Sequence, residues 1–110
     1  MASHELAAAQ DQMVLLGRKS ARERVASFLL MLSKVAQRRG YRGNPIFIPI
    51  SRADIADYLG LTTETVSRTM TKFGLQRLIQ IVGDKEVRLV DPTTLYRIAV
   101  GTWKRAEPMI

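Results

Sequence analysis

The stretch SRADIADYLGLTTETVSRTMTKF, residues 51–73, reads as two short helices joined by a tight turn. Ser51 stands where it can cap the first helix, with Asp54 three residues on in a capping-box-like position, and Ile55, Ala56 and Leu59 share one face at helical spacing. Gly60 stops that helix, and Leu61 follows as a buried wedge. Thr62 caps a second helix, in which Val66, Met70 and Phe73 make an apolar stripe at i, i+4, i+7. The opposite side carries Glu64, Ser67, Arg68 and Thr71 at i, i+3, i+4, i+7, a carboxylate, two hydroxyls and a forked donor along one ridge.

A ridge of that kind suits the DNA major groove, where each base pair shows its own donor and acceptor pattern and the width admits a helix. Arg68 can donate two hydrogen bonds to guanine O6 and N7, and Glu64 can accept from a cytosine amino group; one good bidentate pair discriminates by roughly 1–3 kcal/mol. Ser67 and Thr71 can reach a base, a thymine methyl or a phosphate. The competing reading takes Glu64 and Arg68, four residues apart, as an exposed helix ion pair worth roughly 0.2–0.5 kcal/mol. That reading leaves the flanking turn and the basic balance of the chain unexplained.

DIADYLGLTTETVSR (54–68), preceded by IPISRA (48–53), resembles the C-terminal DNA-binding domain of the CRP/FNR superfamily of bacterial transcription regulators, especially its FixK-like and FNR-like members. The resemblance runs from about Gln12 to Leu95 and includes LLGRKSARERVASFLLML (15–32) and VRLVDPTTL (87–95). It implies that the E-x-x-S-R pattern reads a TTGAT-type half-site, which gives Glu64, Ser67 and Arg68 the base-contacting roles. It also implies a long dimerisation helix joining an N-terminal sensory β-barrel to this domain, with the chain beginning near the end of that helix. One departure concerns the helix end. The family places a glycine just before a Leu-Ile or similar pair, whereas here Gly74 comes early and Arg77 precedes Leu78 and Ile79, so the helix either ends sooner or takes a non-glycine cap.

The rest of the chain fits one domain. A length of 110 residues with 46% apolar content supplies a single core, and 17 Lys and Arg against 10 Asp and Glu leave a formal charge of +7 that attracts phosphate backbones. Basic balance also occurs in ribosome-associated and membrane-resting domains, so only the helix pattern selects DNA. The absence of cysteine excludes a disulfide framework, a cysteine zinc site and an iron-sulfur cluster on this chain's own thiolates. No apolar run approaches the roughly 20 residues needed to cross a bilayer, and a cytoplasmic location is expected, with no membrane partner.

Leu6, Ala9, Met13 and Leu16 form a short stripe that serves either as a dimer seam or as a helix packed on its own domain. Ser20 and Glu23 offer a capping box for a helix whose core face is Val25, Phe28, Leu29, Leu32, Val35 and Ala36, ending near Gly40. Arg18, Lys19, Arg22 and Arg24 at its front, and Arg38, Arg39 and Arg42 at its rear, are either solvated faces or phosphate contacts. After the glycine- and proline-bearing loop from Tyr41, Ile46, Ile48 and Ile50 alternate as in a half-buried strand. Leu78–Val82 and Glu86–Val90 flank Gly83, Asp84 and Lys85 as a hairpin, the wing; Asp91 and Pro92 then open a last helix closed by Gly101. Trp103 is read as a packing anchor in the tail.

The expected fold is mainly α with a small β-hairpin, a winged helix-turn-helix. Residues 1–17 are the end of a dimerisation helix and linker, 18–101 the DNA-binding domain, and 102–110 a tail. Backbone contacts fall to Ser51, Arg52, Thr62, Thr63, Thr71, Lys72, Lys85 and Arg88. The partners are double-stranded DNA, a second copy through the N-terminal helix and, by resemblance, RNA polymerase. No enzyme is expected, and no cofactor or metal. His4 is the sole histidine, and Asp54 and Asp57 sit in opening helical turns, where carboxylates complement the dipole. The rival is a winged-helix module that binds protein or RNA on the same scaffold.

Overall fold

The computed structural model describes residues 19–101; the Leu6–Leu16 stripe, His4, Arg18 and Trp103 lie outside them. Four helices and three strands follow in the order α1 (Ala21–Arg38), β1 (Ile46–Phe47), α2 (Arg52–Leu59), α3 (Thr63–Leu75), β2 (Ile79–Val82), β3 (Glu86–Leu89) and α4 (Pro92–Ala99). Each helix starts on an oxygen-bearing cap. Ser20 Oγ accepts from Glu23 N–H while Glu23 Oε1 accepts from Ser20 N–H, a complete capping box. At α2 Ser51 accepts from Asp54 N–H, at α3 Thr62 accepts from Thr65 N–H, and at α4 Asp91 accepts from Thr94 N–H with Pro92 in the first turn.

Phe73, Leu29, Ile55, Val66, Met70 and Leu95 are fully buried at the centre, drawn from all four helices. The apolar stripes read from the sequence are the faces that meet there. Leu32, Val35 and Ala36 are the exception, because the last turns of α1 run past the core and stay half-buried. The hairpin is present, and the sheet has one strand more than a hairpin, in the order β1-β3-β2. β1 pairs antiparallel with β3 through Ile46 with Val87 and Phe47 with Glu86, and Ile48 N–H donates to Lys85 O at 2.6 Å. The alternation of Ile46, Ile48 and Ile50 therefore holds for two positions only: Ile46 and Ile48 are buried, whereas Ile50 is exposed beside the Ser51 cap. Ile81, opposite Val87, is also partly exposed, because the wing projects beyond the helices that cover its base.

The ends of α1, α2 and α3 share a bonding pattern. Tyr41 N–H bonds Ala36 O and Gly40 N–H bonds Gln37 O; Leu61 N–H bonds Ala56 O and Gly60 N–H bonds Asp57 O. At α3, Leu78 N–H bonds Phe73 O and Arg77 N–H bonds Gly74 O. Each is a Schellman turn, whose pivot residue must be left-handed. The pivot is Gly40 or Gly60 in the first two, at φ 89° and 70°, and Arg77 in the third, at φ 62°. Of the two outcomes expected from the early Gly74, the non-glycine cap is the one found: α3 runs through Gly74 and turns on an arginine. Phe73 and Leu78, the apolar pair that closes such a turn, are both buried and hold it in place.

Arg77→Gly relieves the left-handed side chain, and Gly74→Ala adds a Cβ into open space within the helix. Each is expected to stabilise by about 0.5–1 kcal/mol, raising the midpoint in thermal denaturation by a few degrees. A fall in midpoint for either would contradict the geometry of this helix end.

The cap at Asp91 titrates. Its carboxylate takes the Thr94 hydroxyl at 2.6 Å and the Thr94 N–H at 3.1 Å, and these two bonds, with Arg97 adding a little, hold its pKa below the ordinary carboxylate value against a small opposing effect of burial. A depressed folded-state pKa means a contribution present above the unfolded pKa and lost as pH falls through the folded one. Asp91→Ala is therefore expected to cost about 1 kcal/mol near pH 7, with the penalty shrinking below about pH 4 in urea denaturation series.

Candidate nucleic-acid interface

Val66, Met70 and Phe73 are sunk into the core, which leaves the other side of α3 in solvent. Glu64, Ser67, Arg68 and Thr71 are all exposed there and rise along one ridge. Arg68 Nη2 lies 3.4 Å from Glu64 Oε2, with side chains 60% and 82% accessible. The helix ion pair weighed against base contact is thus formed in the unbound domain, and at roughly 0.2–0.5 kcal/mol for an exposed pair of this spacing it is weak enough to be exchanged. Glu64 holds the arginine fork on the ridge without committing it.

Three of the expected backbone-contact residues converge. Ser51, Arg52 and Lys85 line one groove of about 540 Å³ between the start of α2 and the wing tip, with Pro49, Ile50 and Gly83. Ser51 Oγ accepts the α2 cap bond and keeps its hydroxyl proton to donate. Asp84 also lines the groove and opposes an anion there. Thr62 is already occupied, accepting from Thr65 N–H at 3.1 Å and donating to Thr65 Oγ1 at 2.8 Å. Thr63, Thr71 and Lys72 are exposed on α3. Arg88 is exposed on β3 opposite Gln80, outside that groove.

The front basic cluster does something the sequence does not announce. Lys19 Nζ donates to Ala99 O at the end of α4 (3.1 Å) and to Ser27 Oγ. Arg22 Nη1 donates to Gln76 Oε1, at the end of α3, and its guanidinium carbon lies 5.5 Å from the Phe73 ring centroid. Arg24 Nη1 donates to Leu59 O at 3.0 Å and Gly60 O at 3.4 Å, the carbonyls of the turn between α2 and α3. Each cation sits at the carbonyl end of a different helix, where the dipole favours positive charge. In the unbound domain these three act as struts between helices, a role outside the two alternatives read from the sequence. Their partners at the helix ends stand 80 residues away for Lys19 and 35 for Arg24, so no local spacing signals them.

Two buried helical faces, a capped turn, an outward polar ridge and a paired wing define a winged helix-turn-helix. A model of the Crp-like helix-turn-helix domain matches residues 23–98, and the chain belongs to that family, within the CRP/FNR superfamily. It is 52% identical over 101 residues to the transcriptional activatory protein AadR of Rhodopseudomonas palustris, covering 91% of this chain and 41% of that protein. It is 46% identical over 101 residues to the nitrogen fixation regulation protein FixK of Bradyrhizobium diazoefficiens, covering 92% and 42%. The solved structure of FixK2 from Bradyrhizobium japonicum superposes with a TM-score of 0.70 at 41% identity, over 88% of this chain and 47% of that one. The chain spans about two-fifths of the length of the curated relatives it matches. Among the described residues no group of three or more His, Cys, Asp or Glu is placed to hold a metal ion, and no helix is long and apolar enough to cross a membrane.

Arg24→Met keeps the aliphatic stem and removes the bonds to the turn. It is expected to cost roughly 1–3 kcal/mol in chemical denaturation; an unchanged midpoint would mean that the turn holds its shape without the strut.

Proposed function

We propose that the chain reads double-stranded DNA through α3, with Glu64, Ser67 and Arg68 on the base edges of a TTGAT-like half-site. The observation that carries this is the split of α3 into a wholly buried face and a ridge whose only ion pair among the described residues is an exposed, weak one that a base contact can displace. Backbone contacts position and base contacts specify. Positioning falls to Ser51, Arg52 and Lys85 in their shared groove, with Thr63, Thr71 and Lys72 on α3, Arg88 on β3, and Thr62 once its hydroxyl is released by Thr65. The convergence of Ser51, Arg52 and Lys85 supports this division, and Asp84 keeps it from being a generic anion trap.

Residues 18–101 act as the reading unit in this account. Residues 1–17, outside the described residues, are assigned to the end of a dimerisation helix and linker and 102–110 to a tail, and two copies occupy a palindrome with half-site centres about one helical turn apart. The names of the relatives, an activator and a nitrogen-fixation regulator, support a place in transcription regulation, with RNA polymerase as a further partner.

Selection from random duplexes is expected to enrich TTGAT-like sites. On the selected site Arg68→Ala should weaken binding by roughly 1–3 kcal/mol and flatten preference at one base pair, whereas Lys85→Ala should weaken all sequences alike and lower the salt slope by about one. Equal loss from Arg68→Ala on scrambled DNA would make Arg68 a phosphate contact. Failure to enrich any duplex sequence would favour a protein- or RNA-binding module.

A further inference from the structure

A second cavity, of about 590 Å³, opens between the last turns of α1 and the loop that follows. Its walls are apolar: Leu32, Val35 and Ala36 from the helix, Tyr41 and Pro45 from the loop, and Phe47 from β1. Arg39 and Arg42 also line it, and no carboxylate does. Among the described residues neither arginine has a carboxylate within ion-pair distance. The cavity is held open by the fold. Ser33 Oγ donates to Gly43 O at 2.6 Å, and a Cβ on Gly43 would stand within 2.8 Å of Ser33 O, so α1 and the loop are in contact at that point. Asn44 bonds both the N–H and the carbonyl of Leu89, which pins the other side of the loop to β3.

We propose that this cavity binds a small amphipathic carboxylate, its apolar chain or ring among the aliphatic and aromatic walls and its carboxylate against Arg39 and Arg42. The volume lies in the range of small-molecule sites, and a preformed pocket spares the ordering cost that weakens binding to mobile loops. Sign is decided by magnitude. The carbonyl end of α1 carries about half a negative charge, but its carbonyls are already bonded by the N–H groups of Arg39, Gly40 and Tyr41, and two whole positive charges stand beside it. The net field favours an anion. Arginine's fork suits a carboxylate, and the apolar walls exclude a bare inorganic ion as the best occupant. Exposed Tyr41 and Phe47 at the edge gain from being covered, which a fully polar anion would not provide.

The test is titration of the isotope-labelled 110-residue protein with decanoate, decanol and decyltrimethylammonium, followed by amide NMR shifts. Decanoate is expected to shift amides of residues 32–47 saturably, with a Kd below about 1 mM. Decanol should bind at least about fivefold more weakly at the same place, and the cationic analogue should leave these amides unmoved. Arg39→Gln combined with Arg42→Gln should weaken decanoate at least about tenfold while leaving decanol unchanged, with an unaltered amide spectrum elsewhere showing that the fold is intact. Equal affinity for decanoate and decanol, or shifts scattered over other arginines, would overturn the proposal. So would shifts of these amides by an acidic apolar peptide but not by decanoate, which would make the cavity a protein-docking site. None of these readouts involves DNA, so the outcome is independent of the function proposed for α3.

Discussion

Positive charge at helix carbonyl ends organises this domain. Lys19, Arg22 and Arg24, within six residues, reach the ends of α4, α3 and α2 respectively. Cations so near the start of α1 work against the dipole of their own helix, and Glu23 offsets that: its carboxylate lies in the first turn, nearly buried, and closes the capping box. Glu23 Oε2 also lies 3.2 Å from where a Cβ on Gly101 would be, so the first turn of α1 and the end of α4 meet at a position that a glycine with φ 85° fills without strain. One short stretch at the start of α1 thus ties three helices, and α3 is held at its carbonyl end by Arg22 beside the residues that hold its neighbours.

The reading helix is rigid for reasons that are separable. Its interior face supplies Val66, Met70 and Phe73 to the core, where truncating an aromatic of this kind costs about 3–5 kcal/mol. Its start is closed by Thr62, and its end by the Schellman bonds around Arg77. Thr69, buried, donates to Thr65 O at 2.8 Å and so satisfies its hydroxyl inside the helix. Rigidity matters to readout because a bidentate contact tolerates little displacement of the donor pair.

The parts of this structure that were legible in the sequence are those fixed by neighbours in the chain. Ser20, Ser51, Thr62 and Asp91 each cap a helix because a short side chain three residues ahead of an amide can do so wherever the chain goes, and apolar residues at helical spacing bury because one face must. The exposed positions of Glu64, Ser67 and Arg68 follow from the same periodicity. What was not legible depends on residues brought together from afar. The strand at Ile46 was legible from its alternation, but its place in the sheet was not, because Ile46 and Phe47 pair with Val87 and Glu86 some forty residues on. The roles of Lys19, Arg22 and Arg24 depend on where three other helices end. Arg77 could be read as a departure from the family pattern, but which of two outcomes it produced rested on how firmly Phe73 and Leu78 are buried.

The side chains on the outer ridge of α3 contribute little to the fold beyond one exposed ion pair. Glu64 and Arg68 contact each other, and the struts, caps and core that fix the helix are all made by residues on its other face or at its ends. If α3 reads DNA as proposed, target preference and foldedness are written in different letters of the same thirteen-residue helix. On the proposed reading, substitutions at 64, 67 and 68 re-address the domain to other promoters at a cost to the fold of only a few tenths of a kcal/mol, that of one exposed ion pair, so a single scaffold of this kind diversifies without a compensating change elsewhere.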